Sequence, residues 1–166
     1  MSMLSRKHHT LPKSALEIIP DVYQLSIKRA NVILIVEEEL TLSDTGFPGS
    51  SAQITDFIHR LGHSVAEISL IIITHNHFDH AGGLPELRRP TSARVAIHQV
   101  DITDTEEQTS SPGVVRRLLQ TPALVTLRSG FSVQPSDDYI QLAGEEVIKP
   151  LDGLRVVHTG AYSGQH

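Results

Sequence analysis

The sequence predicts an α/β fold, and three observations carry that reading. Short stretches rich in β-branched residues alternate with segments of helical period, the pattern of strands and helices in turn rather than of an all-β chain. A continuous apolar run at 68–74 ends in threonine and suits a strand buried on both faces. The 166 residues, 39% of them hydrophobic, suffice for one core and not obviously for two.

The elements follow in order. Residues 1–15 read as a loose arm, and 16–166 as one domain. Segments 16–19 and 22–27 read as short strands parted by Pro20 and Asp21, and 31–36 as a strand of β-branched residues. The acidic stretch 37–39 reads as a solvated turn before a return strand at 40–42. After the loop at 47–49, Ser50 and Gln53 have the spacing of a capping box. Ile54, Phe57, Ile58 and Leu61 then share one helical face, and Gly62 is a natural stop. His59 and His63 read as surface histidines near the negative end of this helix. Past the apolar run, a short helix through Leu84 and Leu87 stops at Pro90, and 93–97 is the next strand. Polar residues 99–111 read as loop or frayed helix, and 114–119 as helical. Strands are expected at 124–127, 139–142 and 154–157. No internal repeat or low-complexity segment interrupts the pattern.

Composition excludes several classes. The formal charge of −5 argues against a nucleic-acid footprint. The paired arginines Arg88-Arg89 and Arg116-Arg117 read as solvated faces. No apolar run is long enough to cross a bilayer, and the first residues do not form a signal peptide. There are no cysteines, so disulfides and thiolate metal sites are excluded, and the expected compartment is the cytoplasm. Any metal must be held by histidine and carboxylate.

Ten histidines stand against three tyrosines, four phenylalanines and no tryptophan, so their positions carry weight. Directly after the apolar run come His75, His77, Asp79 and His80, followed by Ala81, Gly82 and Gly83. A rigid strand end followed by a tight turn can aim several side chains at one centre. Imidazole and carboxylate suit zinc, with manganese or iron as the other candidates. The glycines let the backbone bend closely behind the site. A lone His-x-His pair is common by chance; the full His-x-His-x-Asp-His string in this context is specific.

That string resembles the signature of the metallo-β-lactamase superfamily, and Leu42-Ser43-Asp44-Thr45-Gly46 resembles the family's strand-end motif. The order of elements agrees from about residue 16 to residue 158. The resemblance implies an αββα sandwich, with helices outside two packed sheets. It also implies that His75 and His77 hold a first metal, and Asp79 and His80 a second. A metal-activated hydroxide would attack an ester, thioester, lactone or β-lactam type substrate, with Asp79 orienting it. Asp44 would hold a ligand imidazole from behind.

The likeness departs at the C-terminal end. The family supplies a third histidine to the first metal from a segment resembling His-Thr-Pro-Gly-His-Thr-Pro-Gly. Here the segment begins at His158 and places Tyr162 at the ligand position, with His166 as the last residue. One choice of codons for 159–166, read one base later, spells Pro-Gly-His-Thr-Pro-Gly-Ser. A reading-frame slip near His158 is therefore expected, with truncation and drift as its rival. On either account the C-terminal part of the sandwich is expected to be incomplete. A homo-oligomer covering exposed apolar faces is then expected, and a non-catalytic domain that only binds or associates is the alternative to a hydrolase.

Overall fold

The computed structural model describes residues 11–103 and 139–159. A seven-stranded sheet has the order β1-β2-β3-β4-β5-β6-β7. Strands β1 (Ala15–Ile19), β2 (Val22–Ile27), β3 (Ala30–Val36) and β4 (Leu40–Ser43) form an antiparallel meander. Strands β5 (Ile68–Ile73), β6 (Arg94–His98) and β7 (Tyr139–Leu142) then add in parallel to β4. Parallel neighbours need crossovers. Helix α1 (Ser51–Arg60) links β4 to β5, and the short helix α2 (Leu84–Arg88) lies between β5 and β6. Helix α3 (Gln99–Thr103) follows β6, and a small hairpin of β8 (Val147–Ile148) and β9 (Leu154–Arg155) closes the described chain.

Alternation along the strands divides the sheet into two faces. Leu25, Val32, Leu34, Leu42, Ile71, Ile73, Val95 and Ile97 pack with Ile54, Phe57 and Ile58 of α1 and Leu84 and Leu87 of α2 in one buried core. Burying such side chains supplies about 1.5–3 kcal/mol each. On the other face Val22, Ile33, Ile35, Ile72 and Leu142 meet Ile148, Leu151 and Leu154 of the terminal hairpin around a cavity of about 600 Å³. Among the described residues the layers are therefore helix, sheet and the start of a second sheet.

Several expectations are corrected. Strand β5 is fully buried on its helix face only; Ser69, Leu70 and Ile72 are half-buried, because the small hairpin covers little of the second face. Ser50 precedes α1 with helical φ/ψ, and its side chain makes no capping bond. Its buried hydroxyl has no hydrogen-bond partner. Glu86 of α2 supplies the acceptor instead, and its carboxylate accepts from the Gly49 amide at 3.1 Å and from the Ser51 hydroxyl. The capping box lies at Ser64, where Ala66 N donates to Ser64 Oγ and Ser64 N donates to Glu67 Oε1. Arg88 is not simply solvated; it lies over the Tyr139 ring and donates to its hydroxyl at 3.3 Å. Glu37 accepts from Leu151 N at 3.1 Å and so anchors the hairpin turn. The last strand is shorter than the expected 154–157, and β8 carries too few residues to show a period. The expected helix at 114–119 and strand at 124–127 lie outside the described residues, as does Arg116-Arg117.

Gly62 ends α1 with φ +85°, as its place after the apolar face predicts. His59 is exposed at that end, and His63 Nδ1 lies 2.8 Å from Glu67 Oε2, which holds the Glu67 carboxyl below its usual range. No described helix is long and apolar enough to cross a membrane.

Candidate metal centre

The histidine turn is assembled from two strand ends. Strands β4 and β5 are parallel neighbours, so their C-terminal ends emerge side by side. Asp44 leaves β4 with φ +61°, a left-handed conformation that aspartate tolerates better than most residues. This turn aims its buried carboxylate at the end of β5, where Asp44 Oδ1 accepts from Thr74 N at 2.9 Å. The Thr74 hydroxyl lies 3.0 and 2.8 Å from the two Asp44 oxygens. On the other side, Asp44 Oδ2 lies 2.8 Å from His80 Nδ1.

The next two residues hold the backbone of the turn. Thr45 donates twice to the His80 carbonyl, from its amide at 2.7 Å and its hydroxyl at 2.8 Å. Gly46 bridges to Ala81, and Gly83 N donates to Gly46 O at 3.2 Å. The close approach explains the glycines. A Cβ at Gly82 would lie 2.2 Å from Phe78 O, and one at Gly83 would lie 2.4 Å from Thr45 O. The Asp-Thr-Gly motif thus fixes one side chain and the main chain of the histidine turn together.

The structure brings the three histidines into contact. The His75 ring centroid lies 4.7 Å from that of His77 and 4.0 Å from that of His80. Asp79 Oδ2 is 3.6 Å from His80 Nε2. Burial lowers the pKa of His75, and the neighbouring His80 and His77 lower it further, with Asp44 and Asp101 opposing. His75 is therefore held toward its neutral form, the form that ligates metals.

Sequence reasoning missed two participants. Thr74 ends an apolar run and looks like a strand terminator, yet it joins Asp44 to His75, whose Nδ1 lies 3.1 Å from the hydroxyl. Asp101 of α3 accepts from Asn76 N at 3.4 Å, and its carbonyl accepts from Asn76 Nδ2 at 3.2 Å, tying the turn to the next crossover. The lining of the cavity on the second face includes Thr74, His75, His98, Asp101 and His158 and is otherwise mainly aliphatic. His98 and His158 stack there with centroids 4.1 Å apart. Tyr162 and His166 lie outside the described residues.

The donor set fits a borderline divalent cation: imidazoles and a carboxylate on one turn, with a carboxylate behind one imidazole. Among the described residues no three His, Cys, Asp or Glu side chains gather their donor atoms around a single point. His75, His77, Asp79 and His80 therefore offer a chemically suitable wall of a site rather than a closed coordination sphere.

Fold and turn together define a class of α/β protein with a histidine-rich centre at the C-terminal ends of parallel strands. Residues 27–166 match the family described as the metallo-beta-lactamase superfamily, and the chain belongs to it. A hydroxyacylglutathione hydrolase of Ectopseudomonas mendocina is 43% identical over 49 residues, 30% of this chain and 18% of that protein. The uncharacterized protein YobT of Bacillus subtilis is 31% identical over 114 residues, 62% of this chain and 48% of that protein. The chain thus matches less than half the length of either curated relative. Among solved structures, the subclass B3 metallo-beta-lactamase MEM-A1 from a soil metagenome library superimposes with a TM-score of 0.64 at 24% identity, covering 84% of this chain and 50% of that one. The Rm3 metallo-beta-lactamase gives 0.63 at 22% identity, covering 84% and 49%. These likenesses show the shared fold.

Proposed function

We propose that the protein is a metal-dependent hydrolase of an ester, thioester, lactone or β-lactam type substrate. The observation that carries this reading is the contact of three imidazoles at one strand end, one of them oriented by the buried Asp44. Zinc is the metal the donors favour, with manganese or iron as alternatives. His75 and His77 would hold a first ion, and Asp79 and His80 a second. Bound there, zinc lowers the pKa of water and polarises the electrophile.

The protein's own groups prepare the site. A carboxylate accepts only, so His80 donates from Nδ1 to Asp44 and keeps the Nε2 lone pair for a metal. Asp79, whose carboxylate lies beside that Nε2, orients the attacking water. In hydrolysis the water oxygen bonds to the acyl carbon, the bond to the leaving group breaks, and the leaving group takes up a proton. The reading expects a small-molecule substrate; the aliphatic cavity that reaches His75 is the sheet face that the short hairpin leaves uncovered.

The cysteine-free sequence supports a cytoplasmic location. Exposed Leu16, Ile18 and Ile19 on the sheet-edge strand β1 support a homo-oligomer. The test is a panel of esters, thioesters, lactones and β-lactams, assayed before and after chelation and again after zinc is restored. Turnover lost to chelator and recovered with zinc is the expected result. No turnover under any loading would leave a domain that binds or associates without catalysis.

A further inference from the structure

We infer that Thr74 is a positioning residue that sets the tautomer of His75, so that one buried carboxylate, Asp44, orients two imidazoles rather than one. Asp44, ionised, donates nothing and accepts from every neighbour. The Thr74 hydroxyl has one proton, and both Asp44 oxygens lie within 3.0 Å of it. That proton goes to Asp44, because a charged acceptor makes the stronger bond. The hydroxyl oxygen then has only lone pairs left for His75 Nδ1, 3.1 Å away. The bond between them forms only if His75 carries its proton on Nδ1. His75 Nε2 is left as a lone pair, as His80 Nε2 is left by the direct bond from His80 Nδ1 to Asp44.

The threonine amide strengthens the arrangement. Thr74 N donates to Asp44 Oδ1 at 2.9 Å, so the hydroxyl is presented from a backbone already fixed to the same carboxylate. A separation of 3.5 Å between Thr74 Oγ1 and His80 Nδ1 makes His80 a weak competitor for the hydroxyl, since its Nδ1 has Asp44 at 2.8 Å. The chain of bonds runs from His75 through Thr74 to Asp44 and back from His80.

The test uses the full chain in its metal-free form, above the titration range of histidine. Nitrogen NMR of the imidazoles reads the tautomers directly. The expected result is an Nδ1–H tautomer at both His75 and His80. Thr74→Val, which keeps the shape and removes the hydroxyl, shifts His75 toward Nε2–H and leaves His80 unchanged; Thr74→Ser restores His75. An Nε2–H tautomer at His75 in the unaltered protein would overturn the inference even if the valine variant fails to fold. So would a folded valine variant in which His75 is unchanged. A second arm, which rests on the proposed metal site, measures zinc affinity by competition. Valine is expected to weaken it by about 10–100-fold, the usual effect of losing such a partner, with serine restoring it. Correct tautomers with no zinc binding in any form would reject the metal reading and leave the role of Thr74 intact.

Discussion

Asp44 Oδ2 lies 2.8 Å from His80 Nδ1, although 36 residues separate them in the chain. The same carboxylate receives the amide and hydroxyl of Thr74. A turn residue at the end of β4 therefore governs the orientation of side chains at the end of β5.

Asp44→Asn keeps a residue that accepts left-handed φ and removes the charge. At least one of the bonds from Thr74 or His80 then lacks a strong acceptor. We expect a loss of about 1–3 kcal/mol in stability and of about 10–100-fold in zinc affinity. Urea unfolding of the metal-free protein and a zinc competition titration measure the two effects separately. Unchanged zinc affinity would show that Asp44 serves the fold alone.

The glycines behind the turn make a steric prediction. Gly82→Ala and Gly83→Ala each place a methyl within 2.4 Å of a backbone oxygen, whereas at Gly62 the added group meets open space and only the positive φ resists it. Both turn variants are expected to lose more than the roughly 1–2 kcal/mol that the left-handed conformation costs at Gly62. Thermal unfolding of the three variants side by side checks the ranking.

At the start of α1 the usual order of importance is reversed. Ser50→Ala removes a buried hydroxyl without a partner and is expected to be neutral or mildly stabilising. An ordinary N-cap serine would cost about 0.5–2 kcal/mol when truncated. Glu86→Ala removes the acceptor for Gly49 and Ser51 and is expected to cost about 1–3 kcal/mol. Denaturant midpoints distinguish these outcomes, and a destabilising Ser50→Ala would contradict the assignment.

The pH dependence follows from His75. Its folded pKa lies below the ordinary 6.5, chiefly through burial and then through His80 and His77. Between the two values the unfolded chain binds more protons than the folded one, so stability rises with pH. The metal-free protein is expected to lose stability as pH falls below about 6.5 and to show a smaller slope when His75 is replaced by glutamine. Unfolding curves across that range provide the check.

The parts legible in the sequence are those written in local pattern. Ile54, Phe57 and Ile58 mark the buried face of α1 by spacing alone, and 139–142 is a strand with the expected bounds. The histidine turn is legible because its donors are neighbours in sequence. The N-terminal capping of α1 is not, because its acceptor is Glu86, brought in from α2 by the crossover. Thr74 is hidden because a threonine at the end of an apolar strand has an ordinary reason to be there. Its role becomes visible only when β4 places Asp44 against it. The half-open second face of β5 is hidden for a similar reason: an apolar run records what a strand prefers to bury, and the amount of hairpin available to cover it is a tertiary fact.

In the proposed function, His75, His77, Asp79 and His80 hold a catalytic metal. The most direct test is elemental analysis of the purified full chain beside its His75→Ala, His77→Ala double variant, with both confirmed folded by circular dichroism. At least stoichiometric zinc, or the related metals named above, is expected in the unaltered protein, with its loss from the variant. Equal metal content in the two, or none in the unaltered chain after loading with zinc, would contradict the claim.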